Sequence, residues 1–281
     1  MNDTPNQIFQ PINDPIQPHT QLSACIEILG FSEMVAHGEI DKIQVFYEHI
    51  GQEIYSARKK NYSWGFRVIE PQFLNFSERM ILVSRLYDEE TLADLNSVVF
   101  KLFIEFNNII LSMALNLHIP IRGMIRIGET FRGAVRSRKP AVISGKDPLI
   151  LSDLLKVFSI NEIFPNGFSE GLIPAVDVPF HFGAGISQSF CEINRLESIG
   201  IFMPVESNQM NIADVTILSN MMAETKINGG KIYACNWKEW INERSDCSIE
   251  PIMAFVEAEA AKPSGAHVKK WQSLVDYSVN L

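Results

Sequence analysis

The sequence has few cysteines and no pairing pattern among them: Cys25, Cys191, Cys235 and Cys247 lie far apart, with no Cys-x-x-Cys. At 281 residues this spacing argues against a disulfide framework and for reduced thiols. The six histidines form no ligand spacing with one another or with the cysteines, so no zinc site is indicated. Excess positive charge is missing too. A formal net charge of −9 excludes broad, sequence-independent binding to nucleic acid, and any anionic ligand then needs a local basic cluster or a metal. No apolar run reaches about 18 residues, so no membrane-spanning segment is expected. The first 21 residues lack a basic stretch followed by an apolar one, and no secretory signal is expected there. There is no Gly-x-Ser-x-Gly elbow. The Gly183-x-Gly185 pair has no following Lys-Ser or Lys-Thr and reads as a tight turn, not a phosphate loop. These absences leave a soluble, cytoplasmic protein as the expectation.

What is present is an ordinary globular composition, 46% hydrophobic and 20% charged. Residues 1–21, with Pro5, Pro11, Pro15 and Pro18, read as a flexible leader, and residues 22–281 as one domain with an insertion at 133–180. Apolar runs predict strands at 22–29, 64–69, 72–84 and 121–129, the last approaching or leaving a tight hairpin. Helical spacing predicts long helices at 40–60 and 92–117. Weaker signals place helices at 149–158 and 187–197, strands at 199–205 and 231–236, and a last helix from about 266. The order strand, helix, two strands, helix, strand predicts an α+β fold: a ferredoxin-like sandwich of a mixed, largely antiparallel sheet and two long helices.

Two of these strands carry an acidic residue in an otherwise apolar run: Cys25-Ile26-Glu27-Ile28-Leu29-Gly30-Phe31-Ser32 and Asn75-Phe76-Ser77-Glu78-Arg79-Met80-Ile81-Leu82. A buried carboxylate is costly unless a cation or donor satisfies it. Two of them at the ends of neighbouring strands make a clamp for divalent metals. The plainer alternative is that Glu27 and Glu78 are solvated at strand ends or paired with arginines such as Arg79. The densest basic stretch, Arg122, Arg126, Arg132, Arg136, Arg138 and Lys139, either faces an anionic ligand or forms an exposed hairpin. Arg122 and Arg126 fall on one strand face and can act together.

In order along the chain, Glu27-Ile28-Leu29-Gly30-Phe31-Ser32, Phe76-Ser77-Glu78 before an apolar run, and Ile121-Arg122-Gly123-Met124-Ile125-Arg126-Ile127-Gly128-Glu129 resemble the class III nucleotide cyclase homology domain. The bacterial branch that includes the antiphage pyrimidine cyclases of the Pycsar type is the nearest in flavour. The segment Phe190 to Ser198 resembles that family's transition-state helix, with Arg195 at the Arg position and Cys191 where Asn is usual. The family has Asp where Glu27 and Glu78 stand, and Leu74 stands at its purine-recognition Lys. The likeness is good over residues 22–131 and weaker over 180–281.

This resemblance implies conversion of a nucleoside triphosphate to a 3′,5′-cyclic nucleotide, in a pyrimidine signal for antiphage defence, by a head-to-tail homodimer. Two divalent ions, Mg²⁺ or Mn²⁺, would lie at Glu27, Ile28 and Glu78. Gly30, Phe31, Ser32, Arg122 and Arg126 would meet the substrate, and Arg195 from the other subunit would steady the transition state. Two alternatives stay open: a cyclase-like module that binds nucleotide or a protein partner without turnover, and another ferredoxin-like, metal-dependent phosphoryl-transfer enzyme.

Overall fold

In the computed structural model of the chain, the described residues are 9–10, 18–63, 72–76, 78–85, 93–137, 177–204, 221–227, 230–242, 248–265 and 267–279. The chain divides into two compact units: Met1–Gln17 with Phe131–His181, and Pro18–Thr130 with Phe182–Leu281. In the first, β1 (Phe9–Gln10) pairs antiparallel with the far end of β5 (Ile121–Ser137), Phe9 opposite Ser137. The second begins with β2 (Pro18–Ile28), α1 (Phe31–Ala36), α2 (Ile40–Ser63), β3 (Gln72–Phe76), β4 (Arg79–Arg85), α3 (Ala93–Asn116) and then β5. After β6 (Asp177–Gly183), which also pairs with β5, come α4 (Ala184–Ile193), β7 (Gly200–Pro204), β8 (Met222–Ile227) and β9 (Gly230–Cys235). Three helices follow: α5 (Trp237–Asn242), α6 (Ile249–Ala260) and α7 (Val268–Ser278).

The sheet order is β3-β4-β2-β5-β7-β9-β8. Its first four strands, with α2 and α3 as crossovers, are the predicted ferredoxin-like centre. β2 is antiparallel to β4, with Glu27 opposite Arg79, and β4 is antiparallel to β3, with Phe76 opposite Arg79. The backbone N–H of Leu29 meets the carbonyl of Pro120 at 2.8 Å, and the Ser23 hydroxyl that of Arg126, so β5 runs antiparallel to β2 on its other side. β7 is parallel to β5, and β9 antiparallel to β7.

Alternation along β2 sorts its residues between two faces. Leu22, Ala24, Ile26 and Ile28 enter the main core with Phe46 of α2 and Phe100 and Phe103 of α3, all nearly inaccessible to solvent. Each of the Leu, Ile and Phe side chains contributes about 1.5–3 kcal/mol through burial. Cys25 faces the other way with Ile81 and Val83 of β4, against Ile186 and Phe190 of α4. That second, α4-covered face is where the charged residues of the predicted motifs emerge.

Several boundaries differ from expectation. The first strand starts at Pro18, inside the expected leader. The run 72–84 is two antiparallel strands, β3 and β4, with Phe76 paired to Arg79. β5 continues to Ser137 without a hairpin near Gly128. The helix expected over 187–197 spans Ala184–Ile193, and Arg195 lies in the turn beyond it. By length and composition the Asn96–Asn116 stretch of α3 could cross a membrane, yet 72% of its apolar window is buried inside the fold, as a core helix is. The strand expected at 64–69, the helix at 149–158 and most of the 133–180 insertion lie outside the described residues.

Candidate functional site

Three adjacent strands each present one charged residue at the same end of the second face: Arg79 from β4, Glu27 from β2 and Arg122 from β5. The register sets Arg79 directly opposite Glu27, an opposite-charge cross-strand pair. Arg122 approaches from the other side: its Nε and Nη2 donate to Glu27 Oε2 at 3.0 and 2.9 Å. Arg79 Nη2 lies 3.5 Å from Glu27 Oε1. The Glu27 and Arg122 side chains are only 13% and 12% exposed, so this contact is largely withdrawn from solvent screening. Each guanidinium has a second anchor. Arg122 Nη1 donates to the Leu196 carbonyl at 3.0 Å, and Arg79 lies 5.6 Å over the Phe190 ring of α4. Among the described residues, the buried Arg79 Nε has no acceptor.

The turn after β2 closes the site on another side. Gly30 holds a left-handed backbone, φ 70°, and its carbonyl accepts the Met34 N–H that opens α1. A Cβ there would approach His267 Nε2 to 3.2 Å, so glycine admits both the turn and the imidazole. His267 caps α7, and Lys270 one turn on points its Nζ to His267 Nδ1 at 3.4 Å. Burial lowers the Lys270 pKa, as does repulsion from Arg122, while Glu27 and Glu197 pull it the other way. Burial likewise lowers that of His267, with Lys270 next, so the imidazole is neutral near pH 7 and can accept from Lys270. Among the described residues Lys270 has no carboxylate in ion-pair contact. The cluster therefore sets three cationic side chains, Arg79, Arg122 and Lys270, around one partly buried carboxylate.

All four motif segments of the sequence meet here. The Ile28 N–H bonds the Glu78 carbonyl at 2.9 Å, which brings the second segment to the end of the first. Glu78 itself is half-buried in the turn before β4. The fourth segment is tied in through Leu196, next to the exposed Arg195. The turn bearing Arg195 thus lies at the Glu27 cluster of its own chain. Arg126 is drawn elsewhere: it makes a two-point ion pair with Glu192 of α4. Cys191, at the expected Asn position, is an exposed free thiol. Phe31 is half-buried and Ser32 exposed at the start of α1. Arg132 and Arg136 continue along β5, while Arg138 and Lys139 lie outside the described residues.

A pair of divalent ions does not fit Glu27 in this arrangement, because each carboxylate oxygen already faces a guanidinium. Among the described residues, no three His, Cys, Asp or Glu side chains gather as a ligand set. Sequence reasoning named Arg122 and weighed Arg79 as a partner, but missed His267 and Lys270. Only the fold brings α7 against the Gly30 turn, more than 200 positions away in sequence.

No protein-family profile matches this sequence, nor does any curated protein. Solved structures with a similar chain course include the adenylyl cyclase CyaB from P. aeruginosa, 10% identical over 84% of this chain and 100% of that one, TM-score 0.43. A bacterial light-regulated adenylyl cyclase is 8% identical over 88% of this chain and 58% of that one, TM-score 0.42. The catalytic core of a rhodopsin-guanylyl cyclase with converted specificity, in complex with ATPαS, is 10% identical over 80% and 98%, TM-score 0.41. These are likenesses of chain course, too distant to bear on activity.

Proposed function

We propose that this chain is a nucleotide-cyclase-type domain that takes a nucleoside triphosphate where β2, β4, β5 and α7 meet. One observation carries the reading: in a chain of net charge −9, Arg79, Arg122 and Lys270 gather around a single carboxylate, with the Arg79 Nε donor left over and, among the described residues, no carboxylate in ion-pair contact with Lys270. Oxygen-rich anions are what such donors recognise. The reaction of this reading is attack of the 3′-hydroxyl on the α-phosphate, forming a 3′,5′-cyclic nucleotide and releasing pyrophosphate. Arg122 and Lys270 offset the charge of the phosphates, and the turn carrying Arg195 is held beside them by the Leu196 bond. The motif resemblance adds a homodimer, a pyrimidine product and a role in antiphage defence, and a cytoplasmic setting is part of the same reading. Mg²⁺ or Mn²⁺ enters this reading only where Glu27 leaves its arginines.

A second reading, nucleotide binding without turnover, is favoured by the occupied Glu27 carboxylate. Incubation of the folded protein with each of the four nucleoside triphosphates and Mn²⁺, with chromatography for cyclic product and pyrophosphate, separates the two. Product from any of them establishes the cyclase. Calorimetric binding without product establishes the binding module, and the absence of both removes the nucleotide reading.

A further inference from the structure

On the reading of this cluster as a nucleotide site, we infer that the phosphates are held without a divalent metal, the Arg79 and Arg122 guanidiniums standing where metal ions on Glu27 would be. Both guanidiniums are fixed independently of Glu27, Arg122 by the Leu196 carbonyl and Arg79 by the Phe190 ring. Their charge therefore stays in place when the carboxylate turns away. A metal ion would have to displace two forked, partly buried donors and then sit beside Lys270, against three positive charges. A phosphate meets the opposite situation. It finds a planar fork matched to its oxygens, the spare Arg79 Nε and the Lys270 ammonium, which touches the neutral His267 ring but, among the described residues, no carboxylate. Besides Glu27, the carboxylates that act on His267 and Lys270 are Glu33 of α1 and Glu197, both exposed and screened. Glu27 is then a competitor of the phosphate for the same guanidiniums, not a ligand that recruits it.

This assigns Glu27 a sign. If it competes, Glu27→Gln tightens phosphate binding; if it holds metal, the same substitution abolishes binding. The experiment is titration calorimetry of the full chain with inorganic tripolyphosphate and with each nucleoside triphosphate, in EDTA and again in Mg²⁺. Affinities in EDTA within about threefold of those in Mg²⁺, and a roughly tenfold gain for Glu27→Gln, are expected. Arg122→Gln should weaken binding by roughly tenfold or more. Lys270→Met, at a half-exposed position where folding is not at stake, should do the same by roughly tenfold. Binding that requires metal, or its loss in Glu27→Gln, overturns the inference and leaves the nucleotide reading standing. Tripolyphosphate binding in EDTA with no nucleoside triphosphate binding supports the metal-free anion site and removes the nucleotide. No binding by either probe to protein with native circular dichroism overturns both.

Discussion

The Glu27–Arg122 pair makes a stability prediction that can be worked from its geometry. At 2.9 Å and an effective dielectric near 20, the attraction is on the order of 5–6 kcal/mol before desolvation. Desolvation removes most of that, so the quantity to measure is the penalty of breaking the pair. Arg122→Leu leaves a carboxylate that is only 13% exposed with Arg79 alone, at 3.5 Å, and strips the Leu196 carbonyl of its donor. Removing one partner of a fully buried pair costs about 3–5 kcal/mol, and the residual exposure and Arg79 bring the expected loss to about 3 kcal/mol. Glu27→Leu should cost less, about 2 kcal/mol, because Arg122 keeps the Leu196 carbonyl. The double variant removes both charges, so its loss should fall well short of the sum. A coupling energy of about 1.5–2 kcal/mol is expected from urea melts followed by the fluorescence of the buried Trp237 and Trp271. Additive losses, with coupling below about 0.5 kcal/mol, would refute the claim that these side chains are bound to each other rather than each to solvent.

Four other outcomes are expected. Gly200 sits at φ 143°, where a Cβ would come within 2.4 Å of the Tyr277 hydroxyl that donates to the Ile199 carbonyl; Gly200→Ala should cost about 2–4 kcal/mol in the same melts, and adding Tyr277→Phe should recover part of it. Burial pushes the Cys25 thiol up to about 12 and raises Cys235 as well, so iodoacetamide at pH 8 should label the exposed Cys191 while sparing Cys25 and Cys235 until urea is added, as read by mass spectrometry. Burial lowers the pKa values of His118 and His267 from 6.5, so the unfolded chain binds more protons just below that value and stability falls as pH drops from 7 to 5; a His118→Asn/His267→Gln variant should lose less melting temperature over that range than the parent. Glu27→Asp, which pulls the carboxylate back by roughly 1.5 Å, should loosen the Arg122 contact and let Mn²⁺ raise the melting temperature more than in the parent; an equal rise in both would count against the arginine clamp.

The centre of the fold was legible because its signals are local. α2 and α3 show their heptad-like apolar spacing, and both were placed within a few residues of Ile40–Ser63 and Ala93–Asn116. β2 was recognised, but its start was set four residues late, since Pro18, His19, Thr20 and Gln21 are polar or strand-disfavouring by type, although Gln21 is buried. The edge strand Met222–Ile227 went unread, because it alternates too weakly in Met-Ala-Glu-Thr-Lys-Ile to stand out. The helix Ile249–Ala260 also went unread, and it carries a proline at position 251. That proline falls in the first turn, where no intrahelical donor is lost, and Ile252 and Val256 bury the inner face. Glu27, Arg79 and Arg122 were visible and a pairing with Arg79 was weighed, but the Glu27–Arg122 pair and the approach of Lys270 were not. Charge at the ends of three apolar strands is the signal that could have exposed that pair, once β4 and β5 are set on either side of β2.

The length of the acid at position 27 is coherent with that pairing. Glu27 lies opposite Arg79 on one side and within a side-chain length of Arg122 on the other, and it reaches both with its two oxygens. The extra methylene relative to Asp, read alone, is a misplaced metal ligand. Beside two arginines anchored by Phe190 and Leu196, it is the reach that lets one carboxylate bridge three strands. The same bridge makes the cluster positive on balance, since a single bound carboxylate serves Arg79 and Arg122 together and Lys270 feels it only at longer range. A negative chain that concentrates unmatched positive charge at one strand end has made that end the place where an anion gains most and a metal ion least.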